Sequence, residues 1–197
     1  MHTVTDRRTA ILEASARTIA RRGVRGLRMD ELAAEAGVST ALVYYHFKDR
    51  AGILRRTLEF ITDRASRYTR GQHDTDGPTN PRELLELFLL LEFQDLPEVR
   101  ENSTAWGELR ASAIFEPELR EALAEAGAAW IRQTTELLAL AQPAATAAEV
   151  ISSAERLTAL REGLNARRLG GILRPEHARE LMREAIEVEI AHLAARR

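Results

Sequence analysis

Residues 37 to 47 read Gly37-Val38-Ser39-Thr40-Ala41-Leu42-Val43-Tyr44-Tyr45-His46-Phe47, and this stretch decides how the chain is organised. Just before it, Met29, Leu32, Ala33 and Ala36 recur at helical spacing and predict a short helix over 29–36. Gly37 follows at the position where a left-handed residue closes a helix with little steric penalty. Val38 packs inward, and the Ser39 hydroxyl accepts an early backbone N–H of the next helix. In that helix Leu42, Val43 and Phe47 supply the buried side. Tyr44, Tyr45 and His46 are consecutive, so part of the trio must face outward. Two short helices across a tight turn, the second carrying outward aromatics, predict a helix-turn-helix over 28–47 whose second helix reads DNA.

Working outward, the chain reads as helix almost throughout. Ile11, Leu12, Ser15, Ala16, Ile19 and Ala20 mark a first helix from about Thr5 to Arg22, ended by Gly23. After Phe47, Lys48-Asp49-Arg50 breaks the pattern, and Asp49 is placed to cap a fourth helix carrying Ile53, Leu54, Leu58 and Ile61. The segment 71–81 is polar and rich in breakers, and reads as a linker. Asn80-Pro81 then opens a helix over 82–94 that is apolar nearly all round, so it is buried on several sides. Pro97 and Pro117 open two more. Thr146–Leu169 and Pro175–Ala195 form the last pair, divided by Gly170-Gly171. The expectation is an all-α chain of about nine helices, with a DNA-binding domain over 1–50 and a regulatory and dimerisation domain over 51–197.

The quoted residues, together with Ile11-Leu12-Glu13-Ala14, Gly23, Leu27, Asp30-Glu31-Leu32-Ala33 and Leu54, resemble the TetR family of bacterial transcriptional regulators. The resemblance covers about the first third of the chain. It implies that helix 40–47 enters the major groove, with Thr40 and Ala41 at base edges and Tyr44, Tyr45 and His46 on phosphates or thymine methyl groups. Within the family pattern Tyr45 and His46 lean toward the backbone. Tyr44 can alternatively pack its ring within the small domain. Ser39, Arg28, Lys48 and Arg50 complete the expected DNA set. Arg28 stands where the family usually has Thr or Ser, exchanging a short hydroxyl contact for a longer charged one. The body is similar to the choline-pathway (BetI-like) subgroup through Trp106, Glu116-Pro117-Glu118-Leu119-Arg120 and Leu160 to Leu164, without implying a ligand.

Composition supports a nucleic-acid partner for one end only. The 197 residues sum to a net charge of −2. Residues 1–70 hold 14 basic against 8 acidic side chains, and residues 71–197 hold 14 against 22, so +6 and −8 give that −2. A basic module on an acidic body concentrates the phosphate-attracting field where the motif lies. The chain has no cysteine, which excludes disulfides and thiolate metal sites. The five histidines lack metal-ligand spacing, and no nucleophile elbow, phosphate loop or dinucleotide fingerprint occurs. No catalytic residue, metal or cofactor is expected. No apolar run approaches the roughly 20 residues of a membrane span, and no secretory signal precedes residue 10, so a cytoplasmic location is expected.

In the body, Phe88, Glu92, Trp106 and Arg110, with Trp130, are candidates to line a cavity for a small organic effector. Were Arg110 to face it, a carboxylate ligand would be favoured, because a buried guanidinium needs a partner. The last two helices carry more apolar surface than one core contact uses. Ile151, Leu157, Arg161 and Leu164, with Leu181, Ala185, Val188 and His192, are expected to form a self-complementary four-helix homodimer interface. The favoured function is a homodimeric repressor released from double-stranded operator DNA by a small molecule. A constitutive DNA-binding protein with a filled body, and a helical small-molecule or protein-interaction module, are the alternatives.

Overall fold

The computed structural model describes residues 6–71 and 80–195. The expected linker and the expected start of the first helix at Thr5 lie mostly outside them. Among the described residues the chain is all-α, with nine α-helices, three single 3-10 turns and no strand. The helices are α1 (Arg7–Arg22), α2 (Met29–Glu35), α3 (Thr40–Phe47), α4 (Arg50–Gly71), α5 (Pro81–Leu90), α6 (Pro97–Ser112), α7 (Arg120–Ala141), α8 (Ala147–Leu169) and α9 (Pro175–Ala195).

Helix ends follow the side chains that can satisfy exposed backbone groups. Asp6 caps α1, Ser39 caps α3, and Asn80 caps α5 with Pro81 at its first position. Thr146 and Glu149 form a reciprocal capping box on α8. Arg28 occupies the N-cap of α2 and makes no side-chain cap bond there. The apolar run after Pro81 tightens into a 3-10 turn at Leu91–Phe93 and does not continue as α-helix to Gln94. Likewise Pro117 opens a 3-10 turn over Pro117–Leu119 that leads into α7.

Two compact units result. One comprises Met1–Ala65 with Glu101–Ala126, the other Ser66–Arg100 with Gly127–Arg197. The expected division at residue 50 coincides with the first residue of α4, whose apolar face packs in the core of the helix-turn-helix. Ile53, Leu54, Leu58 and Ile61 pack with Ile11, Ile19, Leu32, Val43 and Phe47, and Ala105, Leu109 and Leu119 join the same core. Glu35, at the end of α2, ties α2 to α1 by accepting from Arg17 Nε at 3.2 Å, from Thr18 Oγ1 at 3.1 Å and from Arg21. Burial pushes its carboxyl up, but the hydrogen bonds from Arg17 and Thr18 and the charges of Arg21 and Arg17 outweigh this and hold it below its ordinary value.

The second unit is organised around α8 and α9, with α5 packed on α9. Arg156 binds Glu189 through Nε at 2.7 Å and Nη2 at 2.6 Å, joining α8 to α9. This hydrogen bond is the main reason the Glu189 carboxyl lies low and the Arg156 guanidinium high. Arg183 to Glu86 at 2.6 Å and Arg82 to Glu187 at 3.3 Å join α9 to α5. These four side chains are well exposed, so the pairs set register more than stability.

The joint between α3 and α4 is the tightest place in the first unit. Lys48 has φ 66° and ψ −57° and stands outside glycine as the one positive φ among the described residues. It is the centre of a γ-turn in which Asp49 N–H donates to the Phe47 carbonyl at 2.8 Å. Asp49 Oδ1 then accepts from Gly52 N–H at 2.7 Å, as its capping position required. A Cβ on Gly52 would lie 2.0 Å from the Phe47 oxygen, so only glycine fits. Gly52→Ala should therefore destabilise the chain by about 1–3 kcal/mol in urea titration. Gly107→Ala in α6, where an added Cβ meets nothing within 4 Å, should stabilise it by about 0.4–1 kcal/mol.

Glu35 adds a pH prediction. A carboxyl with a depressed folded pKa stabilises above its unfolded value, near 4.5, and that contribution disappears as pH falls through the lower folded value. Glu35→Gln should lower stability at neutral pH and make the acid limb of the stability curve shallower than in the parent chain.

Candidate DNA-reading surface and ligand site

The surface of α3 follows from what its other face buries. Val43 and Phe47 are sealed into the core and Leu42 is half-buried. Helical geometry then turns Ala41, Tyr44 and Tyr45 outward, with Tyr44 47 % and Tyr45 80 % exposed. Tyr44 thus keeps its ring at the surface. Thr40 and His46 are half-buried, and the His46 ring meets the Tyr45 ring edge-on at 5.2 Å. An aromatic of that exposure has no packing role to explain it. Ser39 Oγ accepts from Leu42 N–H at 3.2 Å and keeps its own proton for an outside acceptor.

Beside α3, a groove of about 620 Å³ is lined by Arg7 and Ala10 of α1, the turn residues Ala36 to Ser39, and Leu42. Gly37 has φ 68°, the left-handed conformation its place after α2 demands. Arg28 and Lys48 are exposed on the same unit. Arg50, by contrast, is engaged internally. Its Nη1 donates to both Glu116 oxygens at 2.9 Å, and its Nη2 donates to the Val24 carbonyl at 2.9 Å. Its expected phosphate contact is thereby replaced by a clamp on the 3-10 turn at Val24–Gly26. Glu108 supports the same turn, accepting from Val24 N–H at 3.3 Å.

The five body residues divide between the units. Phe88, Glu92 and Trp130 come together in the second, where the Phe88 and Trp130 rings lie 4.7 Å apart. Trp106 packs half-buried against the core of the first unit, and Arg110 is exposed there. Around Glu92 the structure gathers three residues of α8. Arg161 Nη1 lies 3.5 Å from Glu92 Oε1, Asn165 donates to Glu92 Oε2 at 3.3 Å, and Arg168 donates to the Glu92 carbonyl at 3.0 Å. Residues 161, 165 and 168 share one helical face, so polar residues set in an otherwise apolar stripe were the signal for this cluster. A separate surface groove of about 580 Å³ lies between α5 and α9, bordered by Glu86, Leu87, Leu90 and Arg183.

Of the expected interface residues, Leu157, Arg161 and Leu164 are buried within the unit and face inward. Leu181 and Ala185 are half-buried, His192 is exposed, and Ile151 and Val188 are 44 % and 66 % exposed. Leu160, on the outward side of α8, joins them. Among the described residues no cluster of His, Asp or Glu could hold a metal ion, and no helix is long and apolar enough to cross a membrane.

Comparison with known proteins agrees with this geometry. Residues 11–57 match the model of bacterial regulatory proteins of the tetR family, and residues 81–191 match the C-terminal domain of BetI-type transcriptional repressors. A TetR-family transcriptional regulator from Rhodococcus sp. is 44 % identical, with a TM-score of 0.85 over 95 % of this chain and 100 % of that one. The chain belongs to the TetR family of bacterial transcriptional regulators. A transcriptional regulator from Saccharomonospora viridis, solved in complex with choline, is 26 % identical, with a TM-score of 0.78 over 91 % of this chain and 95 % of that one. No curated protein sequence matches. The family is one of DNA-binding regulators, not enzymes.

The two arginines at the helix-turn-helix separate in a salt titration. Arg28→Ala should reduce the slope of log K against log salt by about 0.9 while leaving the melting temperature unchanged. Arg50→Ala should lower the melting temperature, because it strands Glu116 and the Val24 carbonyl. An Arg50→Ala chain of unchanged melting temperature and reduced slope would return Arg50 to the phosphate contacts.

Proposed function

We propose that this TetR-family regulator is a cytoplasmic homodimeric repressor whose hold on operator DNA is relieved by a small organic molecule. The observation that carries the reading is the outward Tyr44-Tyr45 face of α3, with half-buried His46 beside it. It is held by an anchored opposite face and a strained terminal joint, so contact with DNA costs little further ordering. Thr40 and Ala41 would meet base edges; Tyr45, His46, Ser39, Arg28 and Lys48 would meet phosphates and thymine methyl groups.

One such helix reads only a few base pairs, so specificity calls for two, related by a two-fold axis and spaced to match successive grooves. The outward apolar residues of α8 and α9, Ile151, Leu160 and Val188, with Leu181, Ala185 and His192 beside them, are the surface we assign to that axis. A ligand in the second unit would act by favouring a spacing of the two recognition helices that no longer fits the DNA. The BetI-type body and the choline-bound Saccharomonospora viridis neighbour support a ligand-responsive body.

Selection of bound fragments from a randomised DNA pool should return a near-palindrome with half-sites about one helical turn apart. The double variant Tyr45→Ala, His46→Ala should fold normally and lose that binding. Wild-type chain should sediment as a dimer at micromolar concentration. Val188→Glu should yield monomers and abolish operator binding although residue 188 lies outside the helix-turn-helix. A monomeric wild-type chain, or unaltered DNA affinity in the Tyr45-His46 variant, would defeat the proposal.

A further inference from the structure

Arg161 is the largest fully buried side chain among the described residues, 1 % exposed, and it is a cation. Its guanidinium lies over Trp130, with its central carbon 3.9 Å from the ring centroid, and the Phe88 ring lies tilted beside the same indole. Glu92 stands 3.5 Å from Nη1, an ion-pair distance with no hydrogen bond. Nε and Nη1 have no hydrogen-bond acceptor among the described residues. Its neighbour Arg168 is satisfied, donating from Nε and Nη2 to Asn165 Oδ1 at 3.1 and 2.9 Å and from Nη2 to the Glu92 carbonyl. Buried guanidinium donors without acceptors are strongly unfavourable, so this pair is the anomalous group of the second unit.

The local charge has a sign. Arg161 and Arg168 are both buried, and the carboxylate among them is that of Glu92, already accepting from Asn165. Farther out, Arg100 and Asp95 act on Arg168 with opposite signs. Burial first, and the Arg100 charge second, hold the Arg168 guanidinium below its ordinary value against the pull of Glu92 and Asp95. The cluster carries one positive charge more than it neutralises. A cation arriving from outside would find the Trp130 face covered by the chain's own guanidinium and would meet like charge at about 4 Å.

We propose that the second unit binds a small carboxylate at Arg161, with Nε and the Nη2 on the same edge donating to its two oxygens and the Phe88–Trp130 pair receiving its apolar part, and that the site rejects quaternary ammonium ligands. A guanidinium edge presents two parallel N–H groups matched to a carboxylate, and such charge-assisted pairs are the strong ones. The expectation attached to Arg110 at the sequence level, that a buried guanidinium calls for an anion, thus transfers to Arg161. This inference rests on the ligand-responsive reading of the body, so binding and DNA release are measured separately.

The full-length chain carrying Trp106→Phe, which leaves Trp130 as the reporter, is titrated with acetate, isobutyrate and benzoate. Benzamide, benzyl alcohol and choline chloride serve as controls, followed by Trp130 fluorescence and thermal shift. A carboxylate should perturb Trp130 and raise the melting temperature with a Kd of roughly 1 mM or tighter. The neutral controls and choline should not. Arg161→Met, which fills similar volume without donors, should weaken that binding about tenfold or more, the loss expected for two charge-assisted hydrogen bonds. Should that variant fail to fold, Arg161→Lys tests the same point, since one ammonium cannot reproduce the two parallel donors. Silence toward every carboxylate, equal binding by the folded variant, or a response to choline overturns the proposal. If a carboxylate binds through Arg161 and operator affinity stays the same, the inference stands and the release mechanism falls. If DNA is released by a ligand indifferent to Arg161, the reverse holds.

Discussion

An eight-residue helix in water does not hold its own shape, since isolated helices shorter than about 12–15 residues are marginal. α3 has eight residues, Thr40–Phe47, and everything the protein could read on DNA depends on its being fixed. Its fixation comes from both ends and one face. Ser39 closes the first turn, Val43 and Phe47 are sealed into the core, and the Phe47 carbonyl is gripped by the backbone turning over it. Lys48 accepts an unfavourable backbone conformation and Gly52 gives up its side chain so that α4 can begin directly against that carbonyl. Strain is concentrated at the joint, and the reading face upstream of it is held in register.

Arginine has opposite uses in the two units, which the charge count alone conceals. Residues 1–70 hold 14 basic side chains, yet several of them are answered locally. Arg17 and Arg21 pair with Glu35, Arg22 with Glu31, and Arg50 with Glu116. The field on the reading side therefore falls to exposed groups such as Arg7, Arg28 and Lys48. In the second unit, Arg161 and Arg168 lie inside the protein, where a guanidinium keeps its charge and its planar form suits a ring face or a carboxylate.

Much of this was legible in the sequence, for a physical reason. Caps and breakers act over three or four residues, so Ser39, Asp49, Asn80-Pro81 and Gly37 announce themselves locally. What needs the three-dimensional partner did not. Periodicity says that Trp106 and Arg110 share a helical face, but not that this face belongs to the helix-turn-helix unit. In α8 the stripe Leu157, Arg161, Leu164 was visible, while its direction was not: it turns inward and leaves Ile151 and Leu160 outside. Nor could sequence show that Arg50 would find Glu116, 66 positions away. The signal overlooked was an arginine inside an apolar stripe, which is either an edge residue or a buried charge in need of an anion.

Lys48 has one more consequence. It is the sole lysine of the chain, exposed at the end of α3 with its backbone held at positive φ. Amine-directed chemistry therefore finds a single side chain, apart from the terminal amine. Acylation, reductive methylation or a fluorescent active ester would each report from, or neutralise, one defined point on the surface assigned to DNA. The near absence of lysine turns an ordinary labelling reaction into a site-specific one.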